Sequence, residues 1–208
     1  RVIAIVQNKK SLAFAEAFKQ ESPTLVLGSS WWKDIQILAE ALPLLPEDLK
    51  VILVPHEISP TQIASAIQLL NTAVIQYSQI HDNTRLSDYK VLIVDTVGML
   101  TTLYQYADVA YVGGGFEDGQ PHNVLEPAVY GVPVLFGNKY QKAKEAVDLV
   151  ATGGGIAFDN AADLVQKILP LLQTETLRKQ KGVIAQQFVF DHAGATQKIM
   201  TFVRSVLK

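Results

Sequence analysis

The chain has 208 residues, 49% hydrophobic and 18% charged, with a net charge of -2, the profile of an ordinary globular protein. A charge so near zero gives no electrostatic pull toward nucleic acid. The sequence contains no cysteine, which excludes a disulfide framework, thiolate zinc and thiol catalysis.

The opening "RVIAIVQNKKSLAFAEAFKQ" starts without methionine and reads as a connecting arm, residues 1–20, from an upstream domain of a longer protein. Residues 21–208 then read as one domain. Strand candidates follow in order: "TLVLGS" (24–29), "KVILVP" (50–55), "AVIQYS" (73–78), "KVLIVDT" (90–96), "VAYVGG" (109–114), "PVLFG" (133–137) and "GIAF" (155–158). Several are almost continuously apolar, as parallel strands covered on both faces are. Helices are expected near 32–42, 60–71, 99–107, 122–131 and 141–152 between them, then near 160–172, 174–189 and 192–207. This alternation predicts an α/β fold with a doubly wound, mostly parallel sheet. The long uncharged run Ile58 to Ile80 carries Pro60, Gln62, Gln68, Asn71, Gln76 and Gln79, too many amides for a membrane span.

Ligands of such sheets bind beyond the carboxyl ends of the strands, and the unusual residues cluster there. Gly28-Ser29-Ser30 precedes a helix, where small residues admit a phosphate or simply form a tight turn with Ser30 as N-cap; the turn is the better reading. "VPHEISP" sets Pro55, His56 and Glu57 before a Ser59-Pro60 helix start. There His56 is either a ligand donor or a packed loop residue. "VDTVGML" places Asp95, Thr96, Val97, Gly98 and Met99 at another strand end, as a ligand turn or as helix caps.

"YVGGGFEDGQPHNVLEPAVYGVPVLFG" (111–137) carries the most. Gly113 to Gly115 leave a strand end unblocked, and a helix opening near Asn123 turns its N–H groups toward that gap. Glu126 in its first turn is suited to accept hydrogen bonds from a ribose diol. Three glycines beside His122-Asn123 favour a ligand role over dipole complementation alone. The dinucleotide fingerprint and the P-loop are absent, and His56, His81, His122 and His192 show no metal-ligand spacing. Gly153 to Gly155 reads as a helix C-cap entering a strand, and Trp31-Trp32 as packing.

The succession "GSS", "VPHE", "VDTVGML…YQYADVAYVGGG" and "PHNVLEPAVYGVPVLFG" resembles the C-terminal domain of bacterial 3-deoxy-D-manno-octulosonic acid (Kdo) transferases, from Arg1 through the C-terminal helices. The resemblance implies a Rossmann-like half of a GT-B glycosyltransferase, moving Kdo from CMP-Kdo to lipid A precursor in lipopolysaccharide biosynthesis. It implies nucleotide contacts from Gly28, Ser29, Pro55, His56, Val97, Gly98, Met99, Asn123, Val124, Leu125 and Glu126. No cofactor and no metal is implied. The catalytic base of that family is a carboxylate of the N-terminal domain, so no catalytic residue is expected here and this polypeptide alone should be inactive. Acceptor binding and membrane contact, at the cytoplasmic face of the bacterial inner membrane, would come through that absent half.

Two departures bear on the contacts. Many members carry Pro-Arg-His-Pro-Glu where Pro55-His56-Glu57 stands, and many have Glu where Met99 stands. The rival readings are another GT-B enzyme using a UDP-sugar, as transferase or epimerase, and a non-catalytic Rossmann-like interaction module.

Overall fold

A computed structural model of the chain describes residues 2–7, 10–116, 119–192 and 203. Seven strands, β1 (Thr24–Ser30), β2 (Lys50–Pro55), β3 (Val74–Gln76), β4 (Val91–Ile93), β5 (Val109–Val112), β6 (Val134–Gly137) and β7 (Gly155–Phe158), form one sheet. Their order is β3-β4-β2-β1-β5-β6-β7 and every pairing is parallel. The helices are α1 (Val2–Gln7), α2 (Ala13–Lys19), α3 (Trp32–Ala41), α4 (Pro60–Leu70), α5 (Leu100–Leu103), α6 (Leu125–Ala128), α7 (Lys144–Thr152), α8 (Ala161–Gln173) and α9 (Glu175–Asp191).

The apolar strand runs are explained by two cores, one on each side of the sheet. Side chains alternate between faces along a strand. Val26, Ile52, Leu92, Ala110, Val112, Val134 and Phe136 face one core with residues of α2, α6, α7 and α9. Leu25, Leu27, Val51, Leu53, Val91, Tyr111 and Leu135 face the other with α3, α4 and α8. The doubly wound parallel sheet expected from the alternation is therefore the observed fold.

Boundaries differ where side chains intervene. The strands expected over 73–78 and 90–96 shorten to β3 and β4, because Asp95 turns back to accept from the amide (2.9 Å) and hydroxyl of Ser78. The helix expected over 99–107 is α5 followed by a 3₁₀ turn, Tyr104–Tyr106. The helix expected over 122–131 is only the four-residue α6. Gly153 does cap α7, at φ +86°, and Asn160 Oδ1 accepts from the amide of Asp163 (3.0 Å) to open α8. Pro60 begins α4 as expected, but the Ser59 hydroxyl pairs with that of Thr61 (3.0 Å) and not with a helix amide. The helix expected over 192–207 lies outside the described residues apart from His192 and Val203.

Residues 1–20, read as an arm, contain α1 and α2. Ala15 and Phe18 of α2 are fully buried in the first core. Lys19 pairs with Asp108 at 2.5 Å, and the same carboxylate accepts from the Thr24 amide (2.9 Å) and lies 3.6 Å from Arg178. Three segments distant in sequence thus meet at Asp108, and α2 is packed into the same body as the sheet.

Candidate functional site

β1 is the switch point of the sheet. The chain leaves it toward β2 on one side and returns to it as β5 on the other, which opens a crevice beyond the strand ends. At that end β1 bulges, and Ser29 adopts φ +52°. Gly28 and Ser29 both lie here, though a side chain on Gly28 would overlap the Tyr104 hydroxyl and Leu100. Gly28 is glycine because Tyr104 fills its space.

The glycine triplet has a similar explanation. A Cβ on Gly113 would overlap the carbonyl of Ser29, one on Gly114 (φ +92°) the carbonyl of Gln120, and one on Gly115 (φ +80°) would come within 2.7 Å of the Gly137 carbonyl. The three residues are buried, and main chain packs directly on main chain. Gly113 N–H donates to the Gly28 carbonyl (2.8 Å), and the carbonyls of Gly113 and Gly115 accept from His122 (3.1 Å) and Lys139 (2.8 Å). The expectation that the triplet stays bare for a ligand is replaced by this backbone packing, which fixes where the loop to His122 and Asn123 leaves the sheet.

Asp34 ties that loop to α3. It is 1% exposed; Oδ2 accepts from the amides of Trp31 (2.8 Å) and Gly114 (3.0 Å), and Oδ1 accepts from the Tyr111 hydroxyl (2.5 Å). Burial raises its pKa above the ordinary carboxylate value, against these three hydrogen bonds, which lower it. Trp31, not Ser30, holds the N-cap position of α3, and Ser30 instead donates to the Val54 carbonyl (3.4 Å).

Three rings stand over the crevice. Trp31 Nε1 donates to His122 Nε2 (2.9 Å), with the two ring planes within 13°. His56 stacks against both, its centroid 4.1 Å from Trp31 and 4.5 Å from His122. The amide of His56 donates to the Ser30 carbonyl (2.9 Å), which sets the ring in place. An indole N–H only donates, so His122 Nε2 is unprotonated. Partial burial, then the neighbouring His56, lower the pKa of His122. Trp31 is 43% exposed, and the packing expected of it is against the rings of His56 and His122.

Glu126 joins the two remaining loops. Oε1 accepts from Asn123 Nδ2 (3.0 Å) and Oε2 from the hydroxyl of Thr101 (3.5 Å), one residue into α5. The carboxylate is half-buried, and its charge helps raise the pKa values of Tyr104 and Tyr130, after burial. Asn123 Oδ1 accepts from the Leu125 amide (3.2 Å), and the Asn123 carbonyl from the Glu126 amide (3.4 Å). The amides of Asn123 and Val124 have no acceptor among the described residues. In the loop after β4, Val97 is 83% exposed, Gly98 has φ +86° with open space where a Cβ would lie, and Met99 holds the N-cap position of α5. Among the described residues no group of three or more His, Asp and Glu side chains could hold a metal ion.

No family model matches the chain. It is 32% identical over 169 residues to a 3-deoxy-D-manno-octulosonic acid transferase of Chlamydophila psittaci, covering 79% of this chain and 39% of that protein. The chain is a homologue of the Kdo transferases. A Kdo transferase of Chlamydia trachomatis serovar D is 28% identical over 184 residues, covering 87% of the chain and 42% of that protein. The chain thus spans about two fifths of the length of these curated relatives. The C-terminal CMP-Kdo binding domain of WaaA from Acinetobacter baumannii superposes with a TM-score of 0.74 at 24% identity, covering 86% of this chain and 99% of that one. The fold of this Kdo transferase homologue is accordingly the Rossmann-like half of a GT-B glycosyltransferase.

Of the residues expected from sequence, Ser29, His56, Gly98, Asn123 and Glu126 lie at or beyond the carboxyl ends of β1, β2, β4 and β5, and the hydroxyl of Thr101 links two of their loops through Glu126. Trp31 and Asp34 were missed as site residues. The signal for Asp34 was available: an acid three residues into a helix is a capping position.

Proposed function

We propose that the chain is the donor-nucleotide half of an inverting glycosyltransferase, which moves Kdo from CMP-Kdo to a lipid A precursor. The observation that carries this is its relation to Kdo transferases over 79% of its length, in a fold whose strand-end loops meet at the switch point of the sheet. The residues are suited to the task. The exposed Val97 beside Gly98 offers a flat apolar wall for a base. The carboxylate of Glu126, oriented by Asn123 Nδ2, accepts from a vicinal diol, the hydrogen-bond pattern a ribose presents. The amides of Asn123 and Val124 have no acceptor among the described residues and are available to a phosphate.

Four-residue α6 is too short for a strong macrodipole, so phosphate affinity rests on individual donors. Where the resemblance implies an arginine in many family members, this chain has His56, which offers ring nitrogens and not a guanidinium fork. As the ester bond to the sugar breaks, negative charge builds on the phosphate, and prepositioned donors stabilise it with little reorganisation. The hydroxyl of the acceptor must lose a proton to a base within hydrogen-bond reach. That base, the lipid A precursor site and the contact with the bacterial inner membrane belong, in this reading, to the remaining part of the full-length protein. No helix among the described residues is long and apolar enough to cross a membrane.

Isothermal titration of the chain with cytidine and uridine monophosphates tests the reading. Cytidine monophosphate should bind, and Glu126→Ala should weaken it by roughly tenfold, the loss of one or two charge-assisted hydrogen bonds. Binding of uridine monophosphate alone would favour a UDP-sugar enzyme instead.

A further inference from the structure

Tyr104 is fitted under the end of β1 and has no part in the nucleotide reading above. The side chain is 1% exposed and belongs to the core shared with α6. Its hydroxyl lies so close to Gly28 that a Cβ there would overlap it, and Leu100 fills the rest of that space. The residue opens the 3₁₀ turn after α5, three positions beyond Thr101, whose own hydroxyl donates to Glu126 (3.5 Å). Among the described residues the Tyr104 hydroxyl has no hydrogen-bond partner, whereas every fully enclosed side-chain polar atom has one. The hydroxyl is therefore the part of this side chain that reaches solvent, at the carboxyl end of β1. Hydroxyls held in such surroundings are almost always paired, so an occupant that carries an acceptor belongs there. We propose that this occupant is a ribose hydroxyl of the donor nucleotide, with Tyr104 donating to an oxygen of the same diol whose protons Glu126 accepts. The inference deepens the nucleotide reading and rests on it.

The chemistry of a diol fits that place. A hydroxyl has one proton and two lone pairs. Once the proton is given to a carboxylate, the lone pairs still call for a donor, which a carboxylate cannot supply. Thr101 and Asn123 Nδ2 already donate to the two oxygens of Glu126, so the donor must come from another side chain. Burial, and then the charge of Glu126, raise the pKa of Tyr104, so its hydroxyl keeps the proton and stays a donor. The same charge disfavours a phosphate as the partner, because an anion beside Glu126 is repelled. A neutral hydroxyl meets an acceptor and a donor side by side.

Gly28 gains a second meaning from this arrangement. Its carbonyl is turned to Gly113 N–H (2.8 Å) and stays within the sheet. The residue bears on the nucleotide through Tyr104, by leaving the space that the phenol occupies.

The test titrates the wild-type chain and Tyr104→Phe with cytidine monophosphate and its 2′-deoxy and 3′-deoxy analogues, which each lack one ribose hydroxyl. Tyr104→Phe should weaken cytidine monophosphate by about fivefold, the loss of one hydrogen bond between neutral groups. It should weaken one analogue similarly and leave unchanged the analogue that lacks the accepting hydroxyl. The variant keeps the ring and removes a hydroxyl with no protein partner, so its thermal midpoint should not fall; a clear fall would show a structural bond and overturn the proposal. Equal weakening of all three probes would overturn it too, as would no weakening at all, the result if a water fills the place; the nucleotide reading would stand in either case. A wild-type chain that binds none of the three would overturn both.

Discussion

Nε1 of Trp31 donates to Nε2 of His122 across 2.9 Å, a bond that exists only while that nitrogen carries no proton. It ties the loop after β5 to the start of α3, and His56 lies stacked over the join. The first prediction follows from its chemistry. Partial burial, and then the neighbouring His56, lower the pKa of His122, so the unfolded chain binds the proton more readily. Stability from this group is therefore complete above the ordinary histidine pKa, about 6.5, and is lost as pH falls below it. An NMR titration should place the His122 midpoint below that value, and Trp31→Phe should raise it by removing the donor. A midpoint that Trp31→Phe leaves alone would show the bond to be weak in solution.

Asp34 sets the rigidity of the crevice. Asp34→Asn puts an NH₂ group where at least one of three donors now points, leaving buried polar groups unpaired. Urea denaturation should show a loss on the order of 3 kcal/mol. Tyr111→Phe, which removes one donor and keeps the ring, should cost less.

The glycines at the site separate into two kinds. Gly113→Ala must push main chain away from Ser29 and should unfold or severely destabilise the protein. Gly98→Ala meets open space and bears only the left-handed backbone penalty, about 1 kcal/mol. Equal costs for the two would contradict the packing described for the triplet.

Phe18→Ala tests whether α2 is integral to the body. Its ring is fully buried, and its removal should cost about 3–5 kcal/mol in denaturant unfolding. A neutral outcome would mean that α2 packs loosely.

The sheet was legible because both of its faces are covered. The centres of runs such as "KVILVP" and "KVLIVDT", Val51 to Val54 and Val91 to Val94, are apolar at every position, which few structures other than a central parallel strand require. The same pattern directs the search for a site to the carboxyl ends of the strands. What the chain hid was long-range. Trp31 meets His56 and His122 from far along the sequence, so its stacking had no local signature. The glycine triplet looked like space for a ligand, but the atoms that need that space are carbonyls of Ser29, Gln120 and Gly137. The helix near Asn123 looked long because Leu125 and Pro127 to Tyr130 are apolar; Gly131, at φ +75°, and the packing of α6 against α9 end it early.

A crystal structure of the chain with cytidine monophosphate tests the central claim most directly. The account predicts the ribose hydroxyls at the carboxylate of Glu126, the phosphate at the amides of Asn123 and Val124, and the base against Val97 and Gly98. A nucleotide bound away from the β1–β5 switch point, or seated there with its ribose turned from Glu126, would contradict it.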